Sequence, residues 1–248
     1  MKQMGNSWFE FKQFRIEQGR SAMKVCTDSC IFGGLIVQTE STSESSIQNV
    51  LDLGAGTGLL GLMLAQEFPL CKITGIELDS GSSIDCRFNY ENAPWTDRME
   101  LLEMDFREFK IESRKFDLIV CNPPFFFEHM PSPISGRRQA MHMGAEGLGD
   151  WLEFMQANLN KNGRIWLLFS PDAWIKAIQQ LERHNLHIVQ VMKLFRKPST
   201  LWRIVVCLSA ETSSEAVISE IFVLEEGGKP SDFTLELLNQ FYLNRSLL

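Results

Sequence analysis

Four consecutive residues, Asn122-Pro123-Pro124-Phe125, directly follow the apolar run Phe116–Cys121. Proline disfavours helical backbone in the residue before it, so Asn122 is expected to be extended, and each proline also fixes its own φ. A strand that ends in this way aims one side-chain amide and one backbone carbonyl outward from the edge of a sheet. The alternative interpretation is an ordinary proline turn without a chemical role.

A second motif, the glycine turn Gly54-Ala55-Gly56-Thr57-Gly58, follows the apolar run of residues 49–53 and opens a helix. Glycine is needed where a turn requires positive φ or where the backbone must lie against a ligand. A dinucleotide-binding turn, G-x-G-x-x-G, would have its third glycine at position 59, which is Leu in this chain. With Asp52 near the end of the strand, the turn instead resembles the S-adenosylmethionine turn of class I methyltransferases.

Acidic residues follow the next two predicted strands. Glu77 comes 23 residues after Gly54, at a strand end where a carboxylate can accept both hydroxyls of a ribose. Asp105 follows the third strand and can accept from an adenine amino group, whereas the alternative for both acids is a helix cap or a solvated loop charge. Open α/β sheets bind ligands at the carboxyl ends of their strands. The predicted cofactor-binding residues are therefore Asp52, Gly54, Gly56, Glu77, Asp105, Phe106 and Asn122.

The order of the predicted elements specifies the fold class. Strands are predicted over residues 49–53, 72–76, 100–104, 116–121, 163–169, 188–195 and 202–208, and helices over 58–67, 80–92, 148–160 and 172–184. This alternation indicates a doubly wound, Rossmann-like α/β fold with a seven-stranded, mainly parallel sheet. The connection between the last two strands is too short for a helical crossover, so we expect them to form an antiparallel hairpin.

Shorter elements flank this core. They are two short strands within residues 9–16 with a turn at Lys12–Gln13, a helix from Thr27-Asp28 to about Gln38, a strand over 221–225 and a helix over 232–243. We therefore divide the chain into N-terminal strands and a helix that cover the cofactor site (1–46), a methyltransferase core (47–210), and a C-terminal strand and helix packed on the core (211–248).

Composition excludes several classes of protein. The chain has 248 residues, 44% of them hydrophobic and 22% charged, which excludes a wholly disordered or collagen-like protein. Without a long apolar run or an apolar signal core, we expect a cytoplasmic protein that has no membrane partner. The six cysteines lack zinc-ligand spacing, and Cys behaves as a small hydrophobe, so we expect buried free thiols and no metal. A net charge of −7 argues against a general nucleic-acid coating protein but allows a local basic face.

The tetrapeptide at Asn122 resembles the [DN]-P-P-[FY] motif of amino methyltransferases, which modify adenine N6, guanine N2 or a glutamine side chain. The resemblance implies that the Asn122 oxygen and the Pro123 carbonyl each accept one N–H of the amine, while Phe125 stacks on the base. The nitrogen can then pyramidalise and aim its lone pair at a sulfonium methyl group, with positioning and charge stabilisation supplying the rate. Asn122, Pro123 and Phe125 are therefore the predicted catalytic residues.

Three parts of the chain resemble the bacterial tRNA1(Val) (adenine-37-N6)-methyltransferase family: Phe11–Gln18 with Met23–Asp28, the loop from Asn122 through Ser132-Pro133 to Arg137-Arg138, and Gln240–Leu243. The N-terminal block separates this family from the guanine and glutamine enzymes that share the tetrapeptide. The resemblance implies transfer of a methyl group from S-adenosylmethionine to N6 of adenine 37 in the anticodon loop, with S-adenosylhomocysteine as product.

The predicted substrate-binding residues lie in the loop after the tetrapeptide and are Phe126, Arg137 and Arg138. Further basic residues flank the final hairpin at Lys193, Arg196, Lys197 and Arg203. A basic rim of this kind would bind phosphates with salt-sensitive affinity, whereas the alternative is scattered solubilising charge. We expect a monomer with tRNA as its partner. The open alternatives are a guanine-N2 or glutamine-N5 methyltransferase and a methyltransferase-fold RNA-binding module.

Overall fold

The computed structural model describes residues 6–42, 46–110, 115–123, 145–211, 215–225 and 227–243. Its strands are β1 (Trp8–Glu10), β2 (Arg15–Glu17), β3 (Asn49–Leu53), β4 (Lys72–Glu77), β5 (Met99–Glu103), β6 (Phe116–Cys121), β7 (Leu159–Phe169), β8 (His187–Lys197), β9 (Thr200–Ser209) and β10 (Val217–Phe222). Its α-helices are α1 (Thr27–Glu40), α2 (Leu59–Glu67), α3 (Ser80–Glu91), α4 (Ala145–Asn158), α5 (Pro171–Leu181) and α6 (Asp232–Leu238).

Eight of these strands form one sheet in the order β10-β8-β9-β7-β6-β3-β4-β5. β9 pairs antiparallel with both β7 and β8, and the other neighbouring pairs are parallel. The predicted α/β class, the mainly parallel core and the antiparallel final hairpin are therefore confirmed. The predicted number of strands was too low by one, because β10 adds in parallel to β8 at the edge of the sheet.

Helices cover both faces of the sheet, which explains the almost uninterrupted apolar runs of β3 and β6. On one face α1, α2, α3 and α6 enclose a core that includes Phe32, Leu62 and Leu238. On the other face α4 and α5 enclose a second core that includes Leu152, Met155 and Ala177. Among the described residues, no helix has both the length and the apolar character needed to cross a membrane.

Helix α1 is held firmly because a buried carboxylate near each of its ends has a partner on the sheet. Asp28 forms an ion pair of 2.9 Å with Nε of Arg203 on β9. At the other end, Glu40 accepts a hydrogen bond of 2.7 Å from Nε1 of Trp166 on β7. Removing one partner of a buried charged pair is costly, so these contacts fix the position of the helix along its axis. The first turn of α1 consequently lies at a defined place beside the sheet.

The N-terminal hairpin packs on the C-terminal segment. β1 and β2 pair antiparallel, and the amide of Phe11 donates to the carbonyl of Phe14 at 2.9 Å, so the predicted strand pair and its turn are confirmed. Phe11 also lies against Tyr242, with ring centroids 5.5 Å apart. Helix α6 ends at Leu238, before the predicted residue 243, because the chain then turns back to form this contact.

Candidate functional site

The carboxyl ends of β3, β4, β5 and β6 meet at one edge of the sheet, and backbone hydrogen bonds join the segments that follow them. The amides of Gly54 and Ala55 donate to the carbonyl of Ile76 at 2.8 and 3.0 Å. The amide of Met104 donates to the carbonyl of Glu77 at 3.0 Å. The structure therefore brings the glycine turn and the two predicted acidic positions to one edge, as parallel pairing requires.

The glycine turn has left-handed backbone at Gly54, Gly56 and Gly58, with φ values of 73°, 59° and 80°. A Cβ added at Gly56 would meet no heavy atom within 4 Å among the described residues, so this part of the turn faces open space. A Cβ at Gly58 would come within 2.5 Å of the Tyr90 ring. Glycine at position 58 therefore allows the Tyr90 ring to pack against the turn, whereas glycine at position 56 leaves the backbone accessible to a ligand.

Glu77 ends β4 and is tied to the glycine turn through its carboxylate. One oxygen, Oε2, accepts from the amide of Gly56 at 2.8 Å, and the other, Oε1, accepts from the amides of Leu78 and Asp79 at 2.9 and 2.8 Å. Burial raises the pKa of Glu77, and these three backbone donors act in the opposite direction. The carboxylate is thus fixed beside the open part of the turn.

Asp52 lies beneath the same turn and is only 1% exposed. Its Oδ2 accepts from the amide of Gly61 in the first turn of α2 at 2.9 Å. Burial raises the pKa of Asp52 from 3.8 to about 7, against the effect of the Gly61 hydrogen bond, and the nearby Glu77 charge raises it further. Asp52 thus joins the end of β3 to the first turn of α2 on the buried side of the glycine turn.

The raised pKa of Asp52 predicts a pH-dependent stability. A carboxyl group with a raised native pKa stabilises the fold fully below its unfolded pKa, and this contribution is lost as pH rises through about 7. The Asp52→Asn variant cannot ionise, so its free energy of unfolding should gain about 4 kcal/mol relative to that of the native chain between pH 4 and pH 8. Urea unfolding at these two pH values measures the gain, and an unchanged difference between the two proteins would contradict the prediction.

Asp105 and Phe106 follow β5. Oδ1 of Asp105 accepts from the backbone amide and from Nε of Arg107 at 3.0 and 2.9 Å. Hydrogen bonding from Arg107 lowers the pKa of Asp105. The ring of Phe106 packs on Trp151 and Phe154 of α4, with centroids 4.9 and 5.1 Å apart. Asp105 is therefore an ionised acceptor beside an aromatic wall.

Asn122 follows β6, and one end of its amide is bound while the other is unpaired. Its Nδ2 donates to Oγ of Ser29, in the first turn of α1, at 2.9 Å. Its Oδ1 is buried and accepts no hydrogen bond from any residue that the structure describes. A buried unpaired acceptor costs about 1–3 kcal/mol, so its presence points to a ligand donor. Pro123 is the last described residue of this segment, and the predicted site residues Phe125, Phe126, Arg137 and Arg138 lie outside the described residues.

Sequence reasoning missed three side chains that build this site. Ser29 binds Asn122, Trp151 lies 3.3 Å from the position of a Cβ at Gly54, and Asn89 of α3 donates to the carbonyl of Thr57 in the glycine turn at 2.9 Å. Each of them sits in a helix that is distant in sequence from the residue it contacts. A buried polar residue in an apolar helix, as at Ser29, is the sequence signal that could have identified one of them, whereas Asn89 lies in a mostly polar helix and carries no such signal.

The predicted basic rim is only partly present. Arg203 was assigned to it wrongly, because its guanidinium pairs with the buried Asp28 and is mostly covered. Arg196 and Lys197 are exposed at the end of β8, and the guanidinium of Arg196 lies 4.0 Å from the ring centroid of Trp202. Since β8 runs parallel to β7 through the hairpin, this exposed basic end lies at the carboxyl edge of the sheet.

All six cysteines are free thiols, and five of them are buried, as the sequence predicts. Within the described part of the chain, His, Cys, Asp and Glu side chains form no group of three that could hold a metal ion.

Comparison with known proteins places the chain among methyltransferases. The family model described as "Methyltransferase small domain" matches residues 34–145. A curated tRNA1(Val) (adenine(37)-N6)-methyltransferase of Cytophaga hutchinsonii is 33% identical over 97% of this chain and 100% of its own length. The protein of the same name from Glaesserella parasuis is 32% identical over 96% of this chain and 97% of its own length.

Solved structures with the same fold are more distant in sequence. The crystal structure of a predicted O-methyltransferase from Agrobacterium tumefaciens superposes with a TM-score of 0.62 at 18% identity, covering 86% of this chain and 95% of that one. A putative class I S-adenosylmethionine-dependent methyltransferase from Listeria monocytogenes gives a TM-score of 0.59 at 14% identity, covering 81% of this chain and 68% of that one. At this identity the likeness concerns the fold alone.

Proposed function

The chain belongs to the tRNA1(Val) (adenine(37)-N6)-methyltransferase family, and from this premise we propose that it transfers a methyl group from S-adenosylmethionine to N6 of adenine 37 in the anticodon loop of that tRNA. The observation that carries the proposal is the buried Oδ1 of Asn122 at the carboxyl edge of the sheet, which has no hydrogen-bond partner among the described residues. An acceptor in this position suits an amino group, which has two N–H donors to place. The enzyme acts without a metal ion in the cytoplasm, where its tRNA substrate is, and works as a monomer.

The residues around the glycine turn fit S-adenosylmethionine. The open space over Gly56 lets the turn approach the cofactor closely, and the Glu77 carboxylate beside it offers lone pairs to the ribose hydroxyls. Asp105 accepts from the adenine amino group, and Phe106 provides an apolar wall for the ring. When bound there, the cofactor supplies an electrophilic methyl group on a sulfonium.

The residues of the protein contribute to methyl transfer by positioning the target amine. An aryl amine is a weak nucleophile because its lone pair is delocalised into the ring. Asn122 Oδ1 and the Pro123 carbonyl each accept one N–H of the target amine, so the nitrogen pyramidalises and its lone pair faces the methyl group. The same oxygens stabilise the positive charge that develops on nitrogen during transfer. The methylated ammonium is acidic enough to lose its proton afterwards, so no general base is needed.

The target adenine leaves the stack of its loop to reach Asn122. Extrusion from a single-stranded anticodon loop costs less than extrusion from a duplex, which favours a loop as substrate. Phe125 stacks on the extruded base, and Phe126, Arg137 and Arg138 bind the surrounding loop.

A methylation assay on defined RNA tests the proposal. An unmodified tRNA1(Val) transcript is incubated with the enzyme and tritium-methyl S-adenosylmethionine, and the product is digested to nucleosides. We expect label in N6-methyladenosine, with no transfer to a transcript in which adenine 37 is replaced by guanine. Label in N2-methylguanosine, or label only in protein glutamine when lysate is supplied, would identify the rival amino methyltransferases. Failure to bind the cofactor in a calorimetric titration would favour an RNA-binding module.

The exposed basic end of the β8–β9 hairpin is proposed to bind tRNA phosphates. We expect the double variant Arg196→Ala/Lys197→Ala to weaken tRNA binding by about 5- to 50-fold in 0.1 M salt and to lower the slope of log affinity against log salt by about 1–2. Fluorescence anisotropy with labelled tRNA over a salt series measures both quantities.

The matched control removes two lysines from the opposite edge of the same sheet, at Lys72 in β4 and Lys161 in β7. Lys72→Ala/Lys161→Ala changes the net charge by the same amount as the hairpin variant, and its tRNA affinity should remain within about twofold of that of the native chain. Equal losses in the two double variants would mean that overall charge, not the hairpin, governs binding.

A further inference from the structure

Asn122 is useful as an acceptor only if its amide is oriented correctly. The two ends of the amide have nearly the same shape, and a rotation of 180° exchanges the oxygen and the NH₂ group. In the flipped orientation Nδ2 would face the substrate amine, and two donors would then oppose each other. The structure has Nδ2 directed to Ser29, whereas no residue that it describes donates to Oδ1, so some feature must favour this orientation.

Ser29 alone cannot select the orientation, because a hydroxyl both donates and accepts. If the Ser29 proton pointed to Asn122, it would bond Oδ1 and stabilise the flipped amide. The second neighbour of the hydroxyl is the Cys26 thiol, with Sγ 3.0 Å from Oγ. The orientation of Asn122 therefore depends on whether Ser29 gives its single proton to Cys26 or to Asn122.

Asp28 sets the direction of the hydrogen bonds that link Cys26, Ser29 and Asn122, because an ionised carboxylate only accepts hydrogen bonds. It is buried and forms an ion pair of 2.9 Å with the guanidinium of Arg203. Burial, followed by the charge of Asp28 and a hydrogen bond to it, raises the pKa of the Cys26 thiol to about 11. The thiol thus keeps its proton near neutral pH and directs it to Asp28.

We infer that Asp28, Cys26 and Ser29 form a one-way hydrogen-bond chain that orients the amide of Asn122 for catalysis. The Ser29 hydroxyl donates to Cys26 Sγ and Asn122 Nδ2 donates to Ser29 Oγ, while the charge of Asp28 keeps the thiol proton on Cys26. With its one proton committed to sulfur, the Ser29 oxygen only accepts from Asn122, so Oδ1 must face the substrate. Ser29 is a positioning residue, and the inference rests on the proposed function of Asn122.

The first test removes the hydroxyl. We expect Ser29→Ala to lower kcat for tRNA methylation by about 10- to 100-fold. Without the hydroxyl the flipped amide of Asn122 becomes populated, and its Nδ2 then faces the N–H donors of the substrate amine. The dissociation constant of S-adenosylmethionine, measured by calorimetry, should stay within about threefold, and Ser29→Thr, which keeps a hydroxyl, should restore most of kcat. The matched control is Ser82→Ala in α3, another buried helical serine, whose hydroxyl contacts Ser21 instead of Asn122. It should leave kcat within about twofold.

A double-variant cycle separates orientation from simple support of the fold. The Asn122→Asp variant has a carboxylate with two equivalent oxygens. A rotation of 180° then changes nothing, so the hydrogen bonds from Ser29 have no orientation to select. We expect Ser29→Ala to cost less than about threefold in kcat in that background, against the 10- to 100-fold cost beside Asn122. An equal cost in both backgrounds, or a kcat within twofold of the native value for Ser29→Ala alone, would overturn the inference.

Cys26 provides a second route if Ser29→Ala fails to fold. Cys26→Ala leaves Ser29 in place but removes the acceptor of its proton, so kcat should fall by about 3- to 10-fold at unchanged cofactor affinity. Cys26→Ser keeps a group that accepts and donates, and should retain kcat. If kcat falls in neither variant, or falls equally in both, the proposed hydrogen-bond chain is contradicted. If the native enzyme itself forms no N6-methyladenosine, the proposed function has failed and this inference fails with it, whereas normal native turnover with unaffected variants overturns the inference alone.

Discussion

Replacing Asn122 by alanine is expected to lower kcat for methyl transfer to tRNA by about 10²- to 10³-fold, the usual cost of removing one group that stabilises transition-state charge. The loss follows from the geometry, because the amide oxygen Oδ1 is buried and accepts no hydrogen bond from any described residue. The affinity for S-adenosylmethionine should stay within about threefold, since the residues proposed to bind that ligand, Gly56 and Glu77, follow other strands of the sheet and contact each other. Single-turnover transfer of a tritiated methyl group, with calorimetry of cofactor binding, measures both quantities.

Two further variants show whether the fall in kcat comes from the missing acceptor oxygen of Asn122. Asn122→Asp keeps an acceptor oxygen and should retain more activity than Asn122→Ala. Asn160→Ala removes an amide of the same type at the opposite edge of the sheet, where the side chain donates to Asp117, and it should leave kcat within about twofold. Near-native transfer by Asn122→Ala would remove this residue from the mechanism.

The second large effect concerns Gly56. Its backbone is left-handed, with φ at 59°, and a Cβ there would point into open space among the described residues. If the cofactor occupies that space, Gly56→Ala should weaken S-adenosylmethionine binding by about 10- to 100-fold, the equivalent of about 1–3 kcal/mol of overpacking. Isothermal titration with the purified variant gives the dissociation constant directly.

Gly228 offers a matched control because it shares the backbone strain of Gly56 without the site. Its φ is 81°, a Cβ there would also meet no heavy atom within 4 Å among the described residues, and it lies in the turn after β10. Both alanine variants should lose about 1–2 kcal/mol of stability from the left-handed backbone. Only Gly56→Ala should lose cofactor affinity, and parallel behaviour of the two variants would refute the close approach of the cofactor to this turn.

Local patterns in the sequence predict the central part of the fold well. The apolar runs of β3 and β6 and the glycine turn are contiguous features, and each is present at its predicted position. The acidic residue that ends β4 follows from the same logic, since parallel strands place their carboxyl ends at one edge. These predictions need only short-range periodicity and the rule for connections in α/β sheets.

The edge strand β10 and the start of the interior strand β7 are harder to predict. β10 spans residues 217–222, where the sequence suggested 221–225, because an edge strand carries exposed residues on both faces and lacks a strong apolar alternation. β7 likewise begins at Leu159, inside the predicted helix, since its pairing with Phe116 of β6 passes through an irregularity before the regular ladder resumes. Tertiary pairing overrides local propensity at both places.

Contacts between distant residues account for what sequence reasoning missed in the site. Ser29 and Asn122 are separated by 93 positions, and Asp28 and Arg203 by 175. No local pattern couples such pairs, so Arg203 was assigned to a basic surface, although the fold uses it to balance a buried carboxylate. The residues proposed to bind ligands are recognisable by motif, whereas the residues that contact and orient them are defined only by the packed structure.

The most direct test is a crystal structure of the enzyme with S-adenosylhomocysteine and an anticodon stem-loop of tRNA1(Val). We predict that adenine 37 is extruded, that its N6 lies about 2.9 Å from Asn122 Oδ1 and from the Pro123 carbonyl, and that it faces the thioether sulfur of the product. An adenine that remains stacked in its loop, or an Asn122 side chain that contacts only protein, would contradict the account.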